Sequence, residues 1–241
     1  MQTQVEEFLD FLAAEKGYSG NTLAAYRNDL TQFTQYVTDQ THAARWDEVS
    51  QTQIVDYILH MKELEYASST VARKVAAIKS FFHYLHDEGI TQQDPTLTLE
   101  SPKVKKHLPK AISEDDVERL LAEPTKSDSP KALRDSALLE VLYATGMRVT
   151  ELVSLNVQDV DLEAGTIYCI GKGDRERVVP IYDHAAQILS NYLAGGRPHL
   201  VRSPEEQALF LNHRGERLTR QGLWLIIKHY VDAIGIESEV T

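Results

Sequence analysis

The sequence predicts a mainly α-helical protein of two domains: an N-terminal helical bundle, then an α-rich domain carrying one small antiparallel β-hairpin. Three observations predict it. Across residues 1–90, apolar side chains recur at three- and four-residue steps in four successive runs, the spacing of one helix face. Residues 91–110 lose that periodicity and hold Pro95, Pro102 and Pro109 with Lys103, Lys105, Lys106 and Lys110, the composition of an extended interdomain linker. In residues 111–241 helical patterns resume, interrupted by two short β-prone runs, 166–170 and 177–181, on either side of a glycine-flanked basic turn. A chain of 241 residues has room for two such domains.

The first helix follows from Val5, Phe8, Leu9 and Leu12 and stops near Gly17. Ser19, Gly20 and Asn21 are start signals for a second, whose stripe runs Leu23, Tyr26, Leu30, Phe33 and Val37. Trp46, Val49, Ile54, Ile58 and Met61 give a third, starting near Gln51 or Thr52. Ser68 and Ser69 read as the cap of a long fourth helix, with Val71, Val75, Ile78, Phe81, Phe82 and Leu85 inward and Gly89 as its stop. Those aromatics read as core rather than as platforms for stacking bases. The second domain opens at Ser113, with Glu114, Asp115 and Asp116 placed where negative charge suits a helix N-terminus. Further helices are expected near 131–144, 148–155, 183–194 and 219–234, with a loop of about 25 residues before the last, long by the usual standard.

Composition narrows the function classes. Hydrophobic residues make up 42%, enough for a sizeable core. No apolar run approaches the roughly 18 residues that span a bilayer, and the acidic N-terminus does not suit a signal peptide. Cys169 is the only cysteine and falls in a predicted strand, so it reads as a small buried hydrophobe. A lone cysteine rules out a disulfide framework and a cysteine-based zinc site and points to a reducing, cytoplasmic setting. The net charge of −11 argues against indiscriminate coating of nucleic acid. The cations are clustered, however: residues 68–83 hold Arg73, Lys74 and Lys79 without an acid, and residues 101–113 hold four lysines without one.

The chemistry concentrates in ATGMRVTELVSLNVQDVD, residues 144–161, and in GKGDRER, residues 171–177. Arg148 follows a glycine break between two helical runs, and Glu151, three residues on, shares its helix face. Lys172 stands at the tip of the predicted hairpin. An arginine fixed by a helix and a lysine on a turn can together grip a phosphate and protonate its leaving oxygen. The same residues also fit a surface ion pair and a solvated hairpin tip.

LLEVLYATGMRVTELVSLNVQDVD followed by GKGDRERVVPI resembles the first two catalytic boxes of the tyrosine recombinase (phage integrase) family. YSGNTLAAYRNDLTQF, SSTVARKVAAIKSFFHYL, SPKVKKHLPKAISEDDVERLL and LTRQGLWLIIKHYVDAIGI resemble its Xer branch, so the likeness covers nearly the whole chain. The resemblance implies a SAM-like core-binding domain over 1–90, a linker over 91–110 and a catalytic domain over 111–241. It implies that Arg148 is the first catalytic arginine, Lys172 the general acid and Glu151 a supporting acid. A tyrosine nucleophile would form a 3′-phosphotyrosyl link, with no cofactor, neither ATP nor metal. The implied partners are a double-stranded DNA recombination site and further recombinase subunits in a tetrameric synapse, homo- or heterotetrameric. Asn21, Thr22 and Arg27 on the second helix, and Ser69, Thr70, Arg73 and Lys74 on the fourth, would touch phosphates and base edges. Lys105 and Lys106 would follow the backbone, and Arg220 and Gln221 would reach the major groove. Helix caps and solvated charges are the plain alternative for each.

The sequence departs from the family pattern toward its end. A further His-x-x-Arg box, a His or Trp, and the nucleophilic tyrosine are expected after text resembling AIGIESEVT, where these residues stop. His199, Leu200, Val201 and Arg202 fit His-x-x-Arg but precede the LTRQGLW block beside Pro198 and Pro204, and read as a loop coincidence. Tyr230 falls mid-helix and reads as core. The expectation is therefore a C-terminally truncated recombinase that binds DNA without cutting it, with chromosome dimer resolution as its host role. A non-catalytic DNA-binding accessory protein, a mobile-element integrase and a helical interaction module are the alternatives.

Overall fold

The apolar stripes of the first 90 residues fold as four helices: α1 (Gln2–Ala14), α2 (Gly20–Thr41), α3 (Gln51–Glu63) and α4 (Ser68–Asp87). The computed structural model describes residues 1–100, 102, 111–171 and 175–236. The chain divides into two units, Met1–Leu108 and Pro109–Thr241.

In the first unit the stripes meet in one core, where Phe8, Phe33, Trp46, Phe81 and Phe82 pack ring against ring. Burying each of these rings contributes about 1.5–3 kcal/mol. Ser19 caps α2 by accepting from the Thr22 amide at 3.4 Å, and Ser50 caps α3 in the same way at 3.4 Å. The expected serine cap of α4 is not made. Ala67 is the capping residue, its carbonyl accepts from Thr70 and Val71, and Ser68 and Ser69 are already in the first turn. Residues 91–99, expected in the linker, fold against the first unit instead. Leu99 is buried in its core, Lys79 donates to the Leu99 carbonyl at 2.9 Å, and Asp94 closes a turn on Thr96.

The second unit contains α5 (Glu114–Ala122), α6 (Pro130–Thr145), α7 (Val149–Ser154), α8 (Asp183–Asn191), α9 (Arg197–Leu200) and α10 (Arg220–Ile234). Its three-stranded antiparallel sheet has the order β1 (Val160–Asp161), β2 (Thr166–Ile170), β3 (Glu176–Pro180), with Cys169 opposite Arg177. The two-residue strand β1 is too short to leave a periodic signal. The core joins Leu138, Val141, Leu152, Ile167, Leu189 and Phe210, with Cys169 buried among them.

Half of the expected loop before α10 is ordered differently from its glycine and proline content. A wide turn over Tyr192–Gly196 carries the α8 helix into α9, with Tyr192 stacked on Phe210 and its hydroxyl donating to the Leu209 carbonyl at 2.9 Å. Residues 207–209 then pair with 155–157, through Val157 to Gln207 and Leu209 to Leu155. Two buried or half-buried arginines hold this segment by its carbonyls, Arg134 on Leu211 and Arg197 on Glu206 and Ala208, and Arg217 ties it to the carbonyls at the end of α7. Among the described residues no helix is long and apolar enough to cross a membrane.

Candidate functional site

The turn between α6 and α7 is set by Gly146, whose left-handed backbone (φ 56°) ends α6. Arg148 follows in extended conformation as the residue that opens α7, so its side chain leaves the helix start rather than the helix wall. Its guanidinium is 66% exposed, whereas Glu151, one turn on, is only 4% exposed. The carboxylate accepts from the Arg148 amide at 2.8 Å and from Arg148 Nη1 at 2.9 Å. The spacing of residues 148 and 151 pointed to this pair.

Sequence reasoning did not single out Arg177. From β3 it grips the same carboxylate in a two-pronged contact, Nη2 to Oε2 at 2.7 Å and Nη1 to Oε1 at 3.2 Å. Two guanidinium charges therefore face one carboxylate, and the group carries one net positive charge. The hydrogen bonds from Arg177 hold the Glu151 carboxyl down at about 2, with those from Arg148 adding to the effect and burial opposing it. Cys169, across the ladder from Arg177, has its thiol pushed up by burial. The signal for Arg177 was its alternation with Val178 on a strand, but the partner lies 26 residues away.

Arg217 anchors the far end of α7. Its Nη1 donates to the carbonyls of Val153, Ser154 and Leu155 at 2.7–3.0 Å, and its Nη2 to Asn156 Oδ1 at 2.6 Å. The last carbonyls of the helix thus receive a cation at the end where the helix dipole is negative. Lys172, Lys105 and Lys106 lie outside the described residues.

The other expected contact residues separate into three groups. Asn21 and Ser69 are exposed, and Thr22 and Thr70 half-buried, at the starts of α2 and α4; Thr22 shares a hydrogen bond with Ser19 at 2.9 Å. Arg220 and Gln221 are exposed in the first turn of α10. Arg27 and Arg73 are exposed but ion-paired, to Glu6 and Asp29 respectively. Lys74 corrects the expectation of an outer face. It is 2% exposed, and its ammonium donates to Asp29 Oδ1 at 2.9 Å and to Gln32 Oε1 at 2.7 Å. Asp29 is itself fully buried, and its charge is met by the buried Lys74 as well as by the partly exposed Arg73, so the lysine faces inward. Tyr230 lies at the rim of the core and donates its hydroxyl to Asp135 at 3.0 Å.

Comparison with known proteins agrees with this architecture. The phage integrase family model matches residues 110–241, and the N-terminal SAM-like domain of phage integrases matches residues 5–89. The chain is 49% identical to tyrosine recombinase XerC of Herpetosiphon aurantiacus over 99% of its length and 78% of the relative's. It is 41% identical to tyrosine recombinase XerD of Oceanobacillus iheyensis over 100% of its length and 81% of the relative's. The solved XerH site-specific recombinase bound to palindromic difH substrate shares the fold, with a TM-score of 0.74 at 20% identity over 99% of this chain and 69% of that one. The chain belongs to the phage integrase family, a family of DNA recombinases, and within it to the Xer-type tyrosine recombinases.

Proposed function

We propose that this chain grips double-stranded DNA at a recombination site and presents Arg148 and Lys172 to one phosphodiester. The observation that carries the reading is the state of Arg148. Its guanidinium is solvent-facing, while the carboxylate beside it is buried and already held by a second arginine. Arg148 supplies a planar fork for the non-bridging oxygens of the scissile phosphate, where negative charge grows in the transition state. Lys172 protonates the departing 5′ oxygen. A tyrosine attacks the phosphorus and conserves the bond energy in a 3′-phosphotyrosyl link, so rejoining needs no nucleotide hydrolysis.

Within these 241 residues we assign duplex binding without strand cleavage. The hydroxyls of Tyr182, Tyr192 and Tyr230 are hydrogen-bonded to Glu140, the Leu209 carbonyl and Asp135. The DNA partner is a short, roughly palindromic site, in keeping with the palindromic substrate of the XerH relative, and the working assembly is a tetrameric synapse. Resolution of chromosome dimers in the cytoplasm is the host role the Xer likeness favours. Asn21, Ser69 and Arg220 contribute phosphate or base contacts from exposed helix starts, and Lys105 and Lys106 follow the backbone.

Binding to a duplex oligonucleotide over a salt series tests the reading. Release of counterions predicts that affinity falls by orders of magnitude between about 50 and 200 mM salt. Absence of binding at the low end would refute it. A nicked duplex that traps covalent intermediates tests the second half: a covalent protein–DNA adduct from the 241-residue chain would overturn the assignment of binding without cleavage.

A further inference from the structure

We propose that Arg177 is a positioning residue that frees Arg148 for the phosphate by keeping Glu151 in place when Arg148 lets go. The inference rests on the DNA reading above but concerns a residue that reading does not use. It follows from the hydrogen bonds on one carboxylate. Glu151 Oε1 accepts from Arg148 Nη1 and Arg177 Nη1, and Oε2 from the Arg148 amide and Arg177 Nη2. When the Arg148 guanidinium swings to a phosphate, only one of these four bonds breaks. The buried carboxylate keeps the fork of Arg177, the Arg148 amide and a full counter-charge.

Without Arg177 the same movement strands a carboxylate that is 4% exposed with a single amide donor and no cation. An uncompensated buried charge is costly, so Glu151 would hold Arg148 back. Arg177 therefore decides which anion Arg148 serves.

A second observation ties Gly171, at the end of β2, to the same pair. Gly171, the residue before Lys172 in sequence, lies directly on it. A Cβ at this position would stand 2.9 Å from Arg177 Nη1 and 3.3 Å from Glu151 Oε1. Its amide donates to the Arg175 carbonyl at 2.7 Å, closing the base of the turn. Gly171 thus sits against the ion pair, and one arginine links the helix of Arg148 to strand β3.

The test measures duplex affinity against salt for the 241-residue chain, its single variants Arg148→Met and Arg177→Met, the double variant of both, and Arg177→Met combined with Glu151→Gln. Arg148→Met and Arg177→Met are each expected to lower the slope of log K against log salt by about 0.9, the loss of one phosphate contact. The double variant is expected to lose no more than either alone, because both act through one contact. Adding Glu151→Gln to Arg177→Met is expected to restore the slope, since a neutral amide no longer retains Arg148. Additive losses, or no restoration by Glu151→Gln, would mean that Arg177 meets the phosphate itself and would overturn the proposal. Unchanged affinity in a folded Arg177→Met chain would overturn it too. If Arg177→Met melts without a cooperative transition, Arg177→Lys decides by the same restoration, because it keeps the charge but not the two-pronged contact. Failure of the wild-type chain to bind at all refutes the DNA reading, whereas binding with additive losses refutes only the role of Arg177.

Discussion

Replacing Lys74 with methionine separates a buried structural cation from a DNA contact. Lys74 and Asp29 are 2% and 0% exposed, and the ammonium has two acceptors, Asp29 Oδ1 and Gln32 Oε1. Breaking a buried pair by removing one partner costs about 3–5 kcal/mol. Asp29 keeps its contact with the partly exposed Arg73, so the expected cost of Lys74→Met falls to about 2–3 kcal/mol. Asp29→Asn is worse, because the buried ammonium keeps only neutral acceptors and no counter-charge, and about 3–5 kcal/mol is expected. Asp29→Leu combined with Lys74→Met removes both charges and should return to within about 1 kcal/mol of wild type. Urea denaturation followed by Trp46 fluorescence reads the first unit, where that indole is in the core, with Trp224→Phe in every variant to silence the exposed indole of the second unit. The salt slope of duplex binding should be unchanged in Lys74→Met under folding conditions. A loss below about 1 kcal/mol together with a slope reduced by about 0.9 would refute the reasoning and return Lys74 to the surface.

Three further outcomes follow from the second unit. Because Glu151 titrates at about 2 when folded against an ordinary 4.5, its ion pairs stabilise the unit above pH 4.5, and that contribution is lost as pH falls toward 2. Acid denaturation followed by Trp224 fluorescence should therefore show a steeper loss in this window for wild type than for Glu151→Gln. Arg217→Met strips the donors from the last carbonyls of α7 and should cost about 2–3 kcal/mol in urea, with a drop in duplex affinity because α7 carries Glu151. Gly171→Ala should lower thermal stability modestly, since the added Cβ meets Arg177 Nη1 at 2.9 Å and the Arg175 backbone carbonyl at 3.3 Å. It should also lower duplex affinity several-fold by pushing Nη1 off Glu151; affinity equal to wild type would mean that the contact of Gly171 with the ion pair does not matter for binding.

The parts of the fold that the sequence made legible are those fixed by local periodicity. Leu30, Phe33 and Val37 on α2, or Val75, Ile78 and Phe82 on α4, repeat at helical spacing, and burial follows from the repeat. Ser19 caps as expected because the bond closes within three residues, but Ser68 and Ser69 do not, because the chain enters α4 one residue earlier, at Ala67. Glycine and proline at 195, 196 and 198 suggested a loop, yet the stacking of Tyr192 on Phe210 and the carbonyl grip of Arg197 hold a helical path through them. Distant partners outvoted local propensity there.

The charged residues posed the harder question, and their misreading has a physical pattern. The neighbours of Lys74 in sequence suggest an outer face and those of Arg177 suggest no role, but each is placed by a carboxylate 45 or 26 residues away. The readable sign was in the acids. Asp29 stands three residues after Tyr26 and four before Phe33, on the apolar face of α2, and Glu151 stands four after Met147 and four before Leu155. A carboxylate on a core-facing stripe demands a donor from another element, because burying it unpaired costs more than one helix contributes. Asp135, which Arg134 and Tyr230 hold, and Glu140, which Tyr182 holds, obey the same rule on α6. At Asp29 that demand draws a lysine inward. At Glu151 two cations answer it, and one of them, Arg148, keeps most of its side chain in solvent.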